Sequence, residues 1–426
     1  MTSAPLTDLR VDGARLTRRL EALAEIGAIP GGGCSRLALT DADRDGRNVV
    51  VTWMRDLGLV VTVDAVGNIV GTRPGRRPDL APVMTGSHID TVATGGRYDG
   101  NLGVLAGLEV IEALETAGVI TNRPLAVAVF TDEEGARFAP DMLGSLTYVG
   151  GLAVEEALDV IGVDGARLGD ELTRIGYAGP VPCPGPAPAA YVELHIEQGP
   201  VLEAEGFTIG AVSGVQGISW TELTIVGQSN HAGTTPMTMR HDAGYAAAAV
   251  TTFARALATE LGGAQVATVG TIDLHPDLVN VVAAWARLTV DLRNTDDTVL
   301  AAAERRLTEF CEGLAEAEGV TIAARRLARF APVDFDEQVV ALVEATAERL
   351  GHRARRLPSG AGHDAQMLAR VCPTGMIFTP SARGVSHNPA EYTDPADLEA
   401  GANVLLQVLL KLANRPGDVS APGEIG

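Results

Sequence analysis

Leu125-Ala126-Val127-Ala128-Val129-Phe130-Thr131-Asp132-Glu133-Glu134-Gly135 is the stretch from which the fold can be read. Six apolar residues in a row have strand length and suit the buried centre of a sheet covered on both faces. Three acidic residues follow before a glycine. Adjacent glutamates at the end of an apolar strand are costly unless something positive holds them. A metal ion would do so and leave one of the two free as a base.

Similar punctuation recurs on both sides. Upstream, Thr85-Gly86-Ser87-His88-Ile89-Asp90-Thr91 follows the apolar Val83-Met84. His88 is therefore expected at a strand's C-terminal end, where open α/β sheets place ligands. Asp90 is expected to accept the other imidazole N–H. Eleven residues beyond His88, Asp99 lies in Gly95-Gly96-Arg97-Tyr98-Asp99-Gly100-Asn101, at the mouth of a helix read from Asn101 to Ala117. Downstream come Glu193-Leu194-His195-Ile196-Glu197-Gln198-Gly199-Pro200 and Gly384-Val385-Ser386-His387-Asn388-Pro389-Ala390-Glu391. One histidine after one strand is ordinarily a satisfied structural residue. Several such segments in one chain point to a shared centre. Histidine and carboxylate donors without thiolates suit zinc, manganese, cobalt or nickel. Three histidines and two carboxylates, one carboxylate shared, suffice for two divalent ions.

The rest of the chain supplies the frame. Helix-like spacing covers residues 8–26 and 46–57, with Thr7 or Asp8 and Asp45 as expected caps. Short β-rich runs follow, and five prolines between 178 and 190 mark a loop. Helix and strand patterns alternate, so an α/β sandwich is expected. From Gly217 the order becomes strand–helix–strand–strand–helix–strand, that of a ferredoxin-like α+β domain. The reading is an α/β/α catalytic domain formed by residues 1–213 and 330–426, with residues 214–329 inserted. The tail from Asn414 is expected to be disordered.

Composition narrows the function. The chain has 426 residues and a formal charge of −21, which argues against nucleic acid and anionic membrane surfaces as partners. No apolar run approaches the ~18–20 residues of a membrane helix. Met1 to Asp12 carries polar and acidic residues where a signal peptide would be apolar, so a cytoplasmic location is expected. Cys34, Cys183, Cys311 and Cys372 form no C-x-x-C pair and are read as free thiols.

On these motifs, together with Asn230-His231-Ala232-Gly233-Thr234-Thr235-Pro236-Met237 and Asp291-Leu292-Arg293-Asn294, the chain resembles the aminoacylase/carboxypeptidase-type di-metal hydrolases. Within them it is similar to the hydantoinase/carbamoylase subfamily: N-carbamoyl-L-amino-acid hydrolases, β-ureidopropionases and allantoate amidohydrolases. The resemblance implies that Asp99 bridges two metals, with His88 and His195 completing one site and Glu134 and His387 the other. It implies Glu133 as general acid/base and His231 as oxyanion partner, reaching the other subunit of a homodimer. It gives Arg293 the substrate carboxylate, with Asn280 and Gln198 in supporting positions and His363 in contact with substrate or ordering its loop. The implied reaction is hydrolysis of the linear C–N bond of an N-carbamoyl-L-amino acid to the amino acid, ammonia and carbon dioxide, with allantoate and N-carbamoyl-β-alanine as rival substrates; a non-catalytic metal-dependent binding protein on the same fold is the rival from another class.

Overall fold

The computed structural model describes residues 6–415, so most of the tail expected to be disordered lies outside the described residues. The strands, in chain order, are β1 (Val60–Val63), β2 (Ile69–Arg73), β3 (Val83–His88), β4 (Leu125–Phe130), β5 (Ala190–Ile196), β6 (Ile209–Val215), β7 (Gly217–Val226), β8 (Val266–His275), β9 (Trp285–Asn294), β10 (Thr321–Phe330), β11 (Val333–Asp334), β12 (Ala354–Ser359) and β13 (Thr374–Thr379). The chain divides into two compact units, one made of Met1–Ser213 with Phe335–Gly426 and the other of Gly214–Asp334.

In the first unit the strands run in the order β1-β2-β4-β3-β5-β13-β6, with β12 also paired to β6. The central four, β4, β3, β5 and β13, are parallel, and antiparallel strands flank them. Every residue of these four is buried, which requires cover on both faces. Burying a Leu, Val or Phe side chain contributes about 1.5–3 kcal/mol, so the run Leu125–Phe130 is a major source of stability. Helices Gly13–Ala24, Asn101–Thr116, Glu337–Arg349 and Pro395–Ala413 pack as one group. Short helices Leu143–Tyr148, Val154–Leu158 and Leu168–Ile175 pack as another.

Helix Asn101–Thr116 is apolar nearly all round and buries thirteen of its residues. Gly103 allows its close approach to the sheet: a Cβ there would lie 2.7 Å from the Leu194 carbonyl and 2.8 Å from Ser87 Cβ. The parallel centre aligns the C-terminal ends of β3, β4 and β5, and His88 closes β3, as expected from the sequence.

Both expected caps differ in the structure. The first helix begins after Asp12, which accepts from the Arg15 N–H, because a separate 3₁₀ turn occupies Leu6–Asp8. The second runs Asp41–Asp56 and is capped by Thr40 rather than Asp45. Gly46, expected to open this helix, lies inside it, where its missing side chain leaves room for buried Arg36.

The second unit is a four-stranded antiparallel sheet, order β10-β7-β9-β8, carrying helices Ala243–Leu261 and Asp297–Glu318. This is the ferredoxin-like order expected from the strand–helix pattern. Leu223, Ile225, Leu288, Val290 and Leu292 form its core with Val250, Leu257, Leu300 and Leu307 from the helices. All four cysteines are free. No helix among the described residues is long and apolar enough to cross a membrane.

Candidate metal centre

Four chain segments meet around Asp99. Its Oδ1 lies 3.2 Å from His195 Nε2 and 3.8 Å from His88 Nε2; its Oδ2 lies 3.2 Å from His387 Nε2. His387 Nε2 is in turn 3.4 Å from Glu134 Oε2. Two sets of donors result, His88–Asp99–His195 and Asp99–Glu134–His387, with the donor atoms of each set within 4.8 Å of one another. Asp99 belongs to both.

Local backbone aims these groups. His88 ends β3 and His195 lies on β5, so both project from the buried parallel centre. The His88 Nδ1 bonds the Asp90 carbonyl at 2.9 Å, and the His195 Nδ1 bonds the Ile196 carbonyl at 2.9 Å. Each Nδ1–H is thereby committed to a backbone acceptor, which turns Nε2 toward Asp99 as the atom that would meet a cation; in His195 that Nε2 accepts the Gly100 N–H at 3.1 Å. Gly100, at φ 65°, begins the helix after Asp99 where a Cβ would strike the His88 ring.

The expected role of the Asp90 carboxylate is corrected. It stands 3.8 Å from His88 Nδ1 and instead accepts the N–H groups of Glu133 and Glu134, both at 3.3 Å. The backbone carbonyl is nearer to the imidazole, so the carboxylate is free to organise the turn after β4.

Glu133 stands apart from both donor sets, with Oε2 3.4 Å from His88 Nε2. Burial pushes its carboxyl well above the usual range, and the charges of Asp364, Glu134, Asp99 and Asp90 add to this. Burial raises Glu134 in the same way, followed by Asp99 and Asp90. Asp90 is pushed up to about 7 by burial and then Asp43. The groups that face Asp99, Glu133 and Glu134 within ion-pair distance are imidazoles. Such a concentration of buried acid is what a pair of divalent cations relieves, so the residues fit the metals that the motifs imply.

Other sequence candidates separate into two places. Gln198, at φ 58°, donates from Nε2 to Asp99 Oδ2 at 2.9 Å, while its Oε1 is buried without a partner. His363 packs its ring edge-on to His195 with centroids 4.6 Å apart, and its Nε2 meets Ser359 Oγ at 2.9 Å. Burial holds it well below its ordinary value, hence neutral. His231, Asn280 and Arg293 belong to the second unit. There His231 is exposed, its Nδ1 accepts the Gly233 N–H at 3.1 Å, and the Ala232 N–H donates to the Asn280 carbonyl at 3.0 Å. Arg240 steadies this loop by donating to the Thr235 carbonyl at 3.1 Å. Arg293 is at the far end of β9 from Trp285, roughly 26 Å along the strand, and pairs with Asp291 at 2.8 Å. The unit thus carries two separate polar sites, His231 with Asn280 at one end and Arg293 at the other.

Sequence reading gave no role to several groups around the centre. Glu193 is buried and accepts from Ser87 Oγ at 2.6 Å, Tyr191 Oη at 3.2 Å and the Ala365 N–H at 2.9 Å. Buried Arg36 donates to the Ile89 carbonyl at 2.7 Å and to Asn101 Oδ1 at 2.8 Å, bracing the His88 and Asp99 segments together. Glu391 binds the Tyr98 N–H at 2.9 Å and the Asp99 N–H at 3.2 Å. A polar residue next to a motif is a weak signal when its partners lie far away in sequence.

Comparison with known proteins identifies the family. The family described as Peptidase family M20/M25/M40 matches residues 84–411. The chain is 41% identical over 411 residues to the N-carbamoyl-L-amino-acid amidohydrolase of Rhizobium meliloti, covering 96% of this chain and 99% of that protein. It is 34% identical over 400 residues to the allantoate amidohydrolase of Bacillus subtilis, covering 93% and 97% respectively. A crystal structure of an amidase of the hydantoinase/carbamoylase family from Burkholderia multivorans matches with a TM-score of 0.93 and 46% identity, over 96% of this chain and 99% of that one. The chain therefore belongs to the M20/M25/M40 peptidase family, in its hydantoinase/carbamoylase branch.

Proposed function

We propose that this chain is a metal-dependent amidohydrolase that cleaves the linear C–N bond of an N-carbamoyl-L-amino acid, releasing the amino acid, ammonia and carbon dioxide. The observation that carries the reading is the position of Glu133. It is buried beside two histidine–carboxylate donor sets and belongs to neither. Its raised proton affinity suits a group that must take and return a proton. Similarity to the Rhizobium meliloti amidohydrolase over nearly the full length supports the substrate class.

In this reading His88, Asp99 and His195 hold one divalent ion and Asp99, Glu134 and His387 hold the other, as zinc, manganese, cobalt or nickel. The bound pair would supply Lewis acidity and bring a water's pKa near ~7. Glu133 takes the proton of the attacking water and hands it to the leaving nitrogen. His231 donates to the oxygen of the tetrahedral intermediate. Arg293 turns from Asp291 to clamp the substrate carboxylate bidentately. Gln198, Asn280 and His363 orient the ureido group. Residues 214–329 serve as a lid and dimerisation domain, and a homodimer lets His231 and Asn280 complete a neighbour's site. A cytoplasmic location accompanies the reading.

Colorimetric ammonia release tests it, with and without chelator, on carbamoyl amino acids, N-carbamoyl-β-alanine and allantoate. Chelator-sensitive ammonia from carbamoyl α-amino acids is expected. A preference for allantoate would make the chain an allantoate amidohydrolase, the activity named for its Bacillus subtilis relative. No ammonia from any substrate, with metal confirmed bound, would support the binding-protein rival.

A further inference from the structure

Asp99 and His387 are 288 residues apart in sequence, and a third carboxylate joins their loops. Glu391 is 4% exposed. Its Oε1 accepts the Tyr98 and Asp99 N–H groups at 2.9 and 3.2 Å. Its Oε2 accepts the Ser386 hydroxyl at 2.9 Å, and Ser386 Oγ is 3.3 Å from Asp99 Oδ2. The carboxylate thus holds the backbone of one ligand and the residue immediately before the other. Gly96 makes room for it, since a Cβ at that position would run into the Glu391 carboxylate.

The link through Ser386 falls on one side of the centre. Oδ2 is the Asp99 oxygen that faces His387, whereas Oδ1 faces His88 and His195. His88 and His195 stand on strands with their Nδ1 atoms bound to backbone carbonyls. His387 has φ 52° and a side chain 50% exposed, in a loop that needs restraint from elsewhere. We propose that Glu391 is a positioning residue for the Asp99–Glu134–His387 half of the centre, setting the affinity of that half for its cation while leaving the His88–Asp99–His195 half nearly unchanged. The inference rests on the two-metal reading above.

The test is metal stoichiometry and affinity. Full-length protein loaded with Zn²⁺ is dialysed against a chelator-buffered series, and bound metal is counted by mass spectrometry. Wild type should hold two ions per subunit. Glu391→Ala should keep one tightly and bind the second about 10- to 100-fold more weakly, the usual cost of losing a ligand-supporting hydrogen bond. Glu391→Gln retains an acceptor for the two N–H groups and should stay within about threefold of wild type. Gly96→Ala reaches the same end by displacing Glu391 without altering any ligand. It decides the matter should Glu391→Ala fail to fold, as judged by near-ultraviolet circular dichroism. Two ions bound at wild-type affinity in folded Glu391→Ala or Gly96→Ala would overturn the proposal, as would equal weakening of both positions. Wild-type protein that binds no metal would instead overturn the reading beneath it.

Discussion

The two halves of the centre share Asp99 and differ in almost everything else. In one, His88 and His195 project from strands whose every residue is buried, and backbone carbonyls fix both rings. In the other, Glu134 follows a strand and His387 sits in a loop with a half-exposed side chain. Rigidity comes from the sheet in the first case and from hydrogen bonds between loops in the second. The first half is therefore closed in by the sheet, and the second is the one exposed to solvent.

The largest effect should come from Glu133, which lies 3.4 Å from His88 Nε2 and belongs to neither half. Glu133→Gln removes the base without removing a ligand, so kcat should fall by about 10²–10⁴ while both ions remain bound. Loss of metal in that variant would show that Glu133 is a ligand. His195→Ala should empty the closed half and, through Asp99, weaken the open one, whereas His387→Ala should release one ion only. Metal counting on the two variants reads this difference, and identical losses would break the comparison. A smaller effect is expected from Asp90→Asn. The turn after β4 loses part of its anchor at the Glu133 and Glu134 N–H groups, and metal affinity should fall by about 10- to 100-fold. An unchanged affinity would show that the turn holds its shape without that carboxylate. Least affected should be Gln198→Leu, which removes the amide proposed to orient the ureido group and should raise KM about tenfold, the cost of one hydrogen bond. An unchanged KM would remove Gln198 from substrate binding.

Much of this arrangement was legible in the sequence because it follows local rules. An apolar run ending in Glu133-Glu134 marks a buried strand delivering charge to its C-terminal end, and β4 occupies Leu125–Phe130 as read. The strand–helix pattern beyond Gly217 likewise matches the observed four-stranded sheet. What escaped depends on contacts distant in sequence. Gly46 hides inside a helix because Arg36 needs its space, and the cap moved to Thr40 accordingly. The Asp90 carboxylate was assigned to its neighbour His88, but it serves a turn 43 residues away. Glu391 reaches across 292 residues to Asp99, and no spacing rule reveals that. The separation of Arg293 from His231 and Asn280 is set by the length of β9, which no local motif encodes.

The central claim is that these side chains cage two cations around Asp99. Anomalous diffraction from crystals of the metal-loaded protein, collected across the metal absorption edge, tests it most directly. Two peaks about 3.5–4 Å apart are predicted, one on each side of the Asp99 carboxylate. A single peak, peaks elsewhere in the chain, or a fully active crystal batch without any peak would contradict the account.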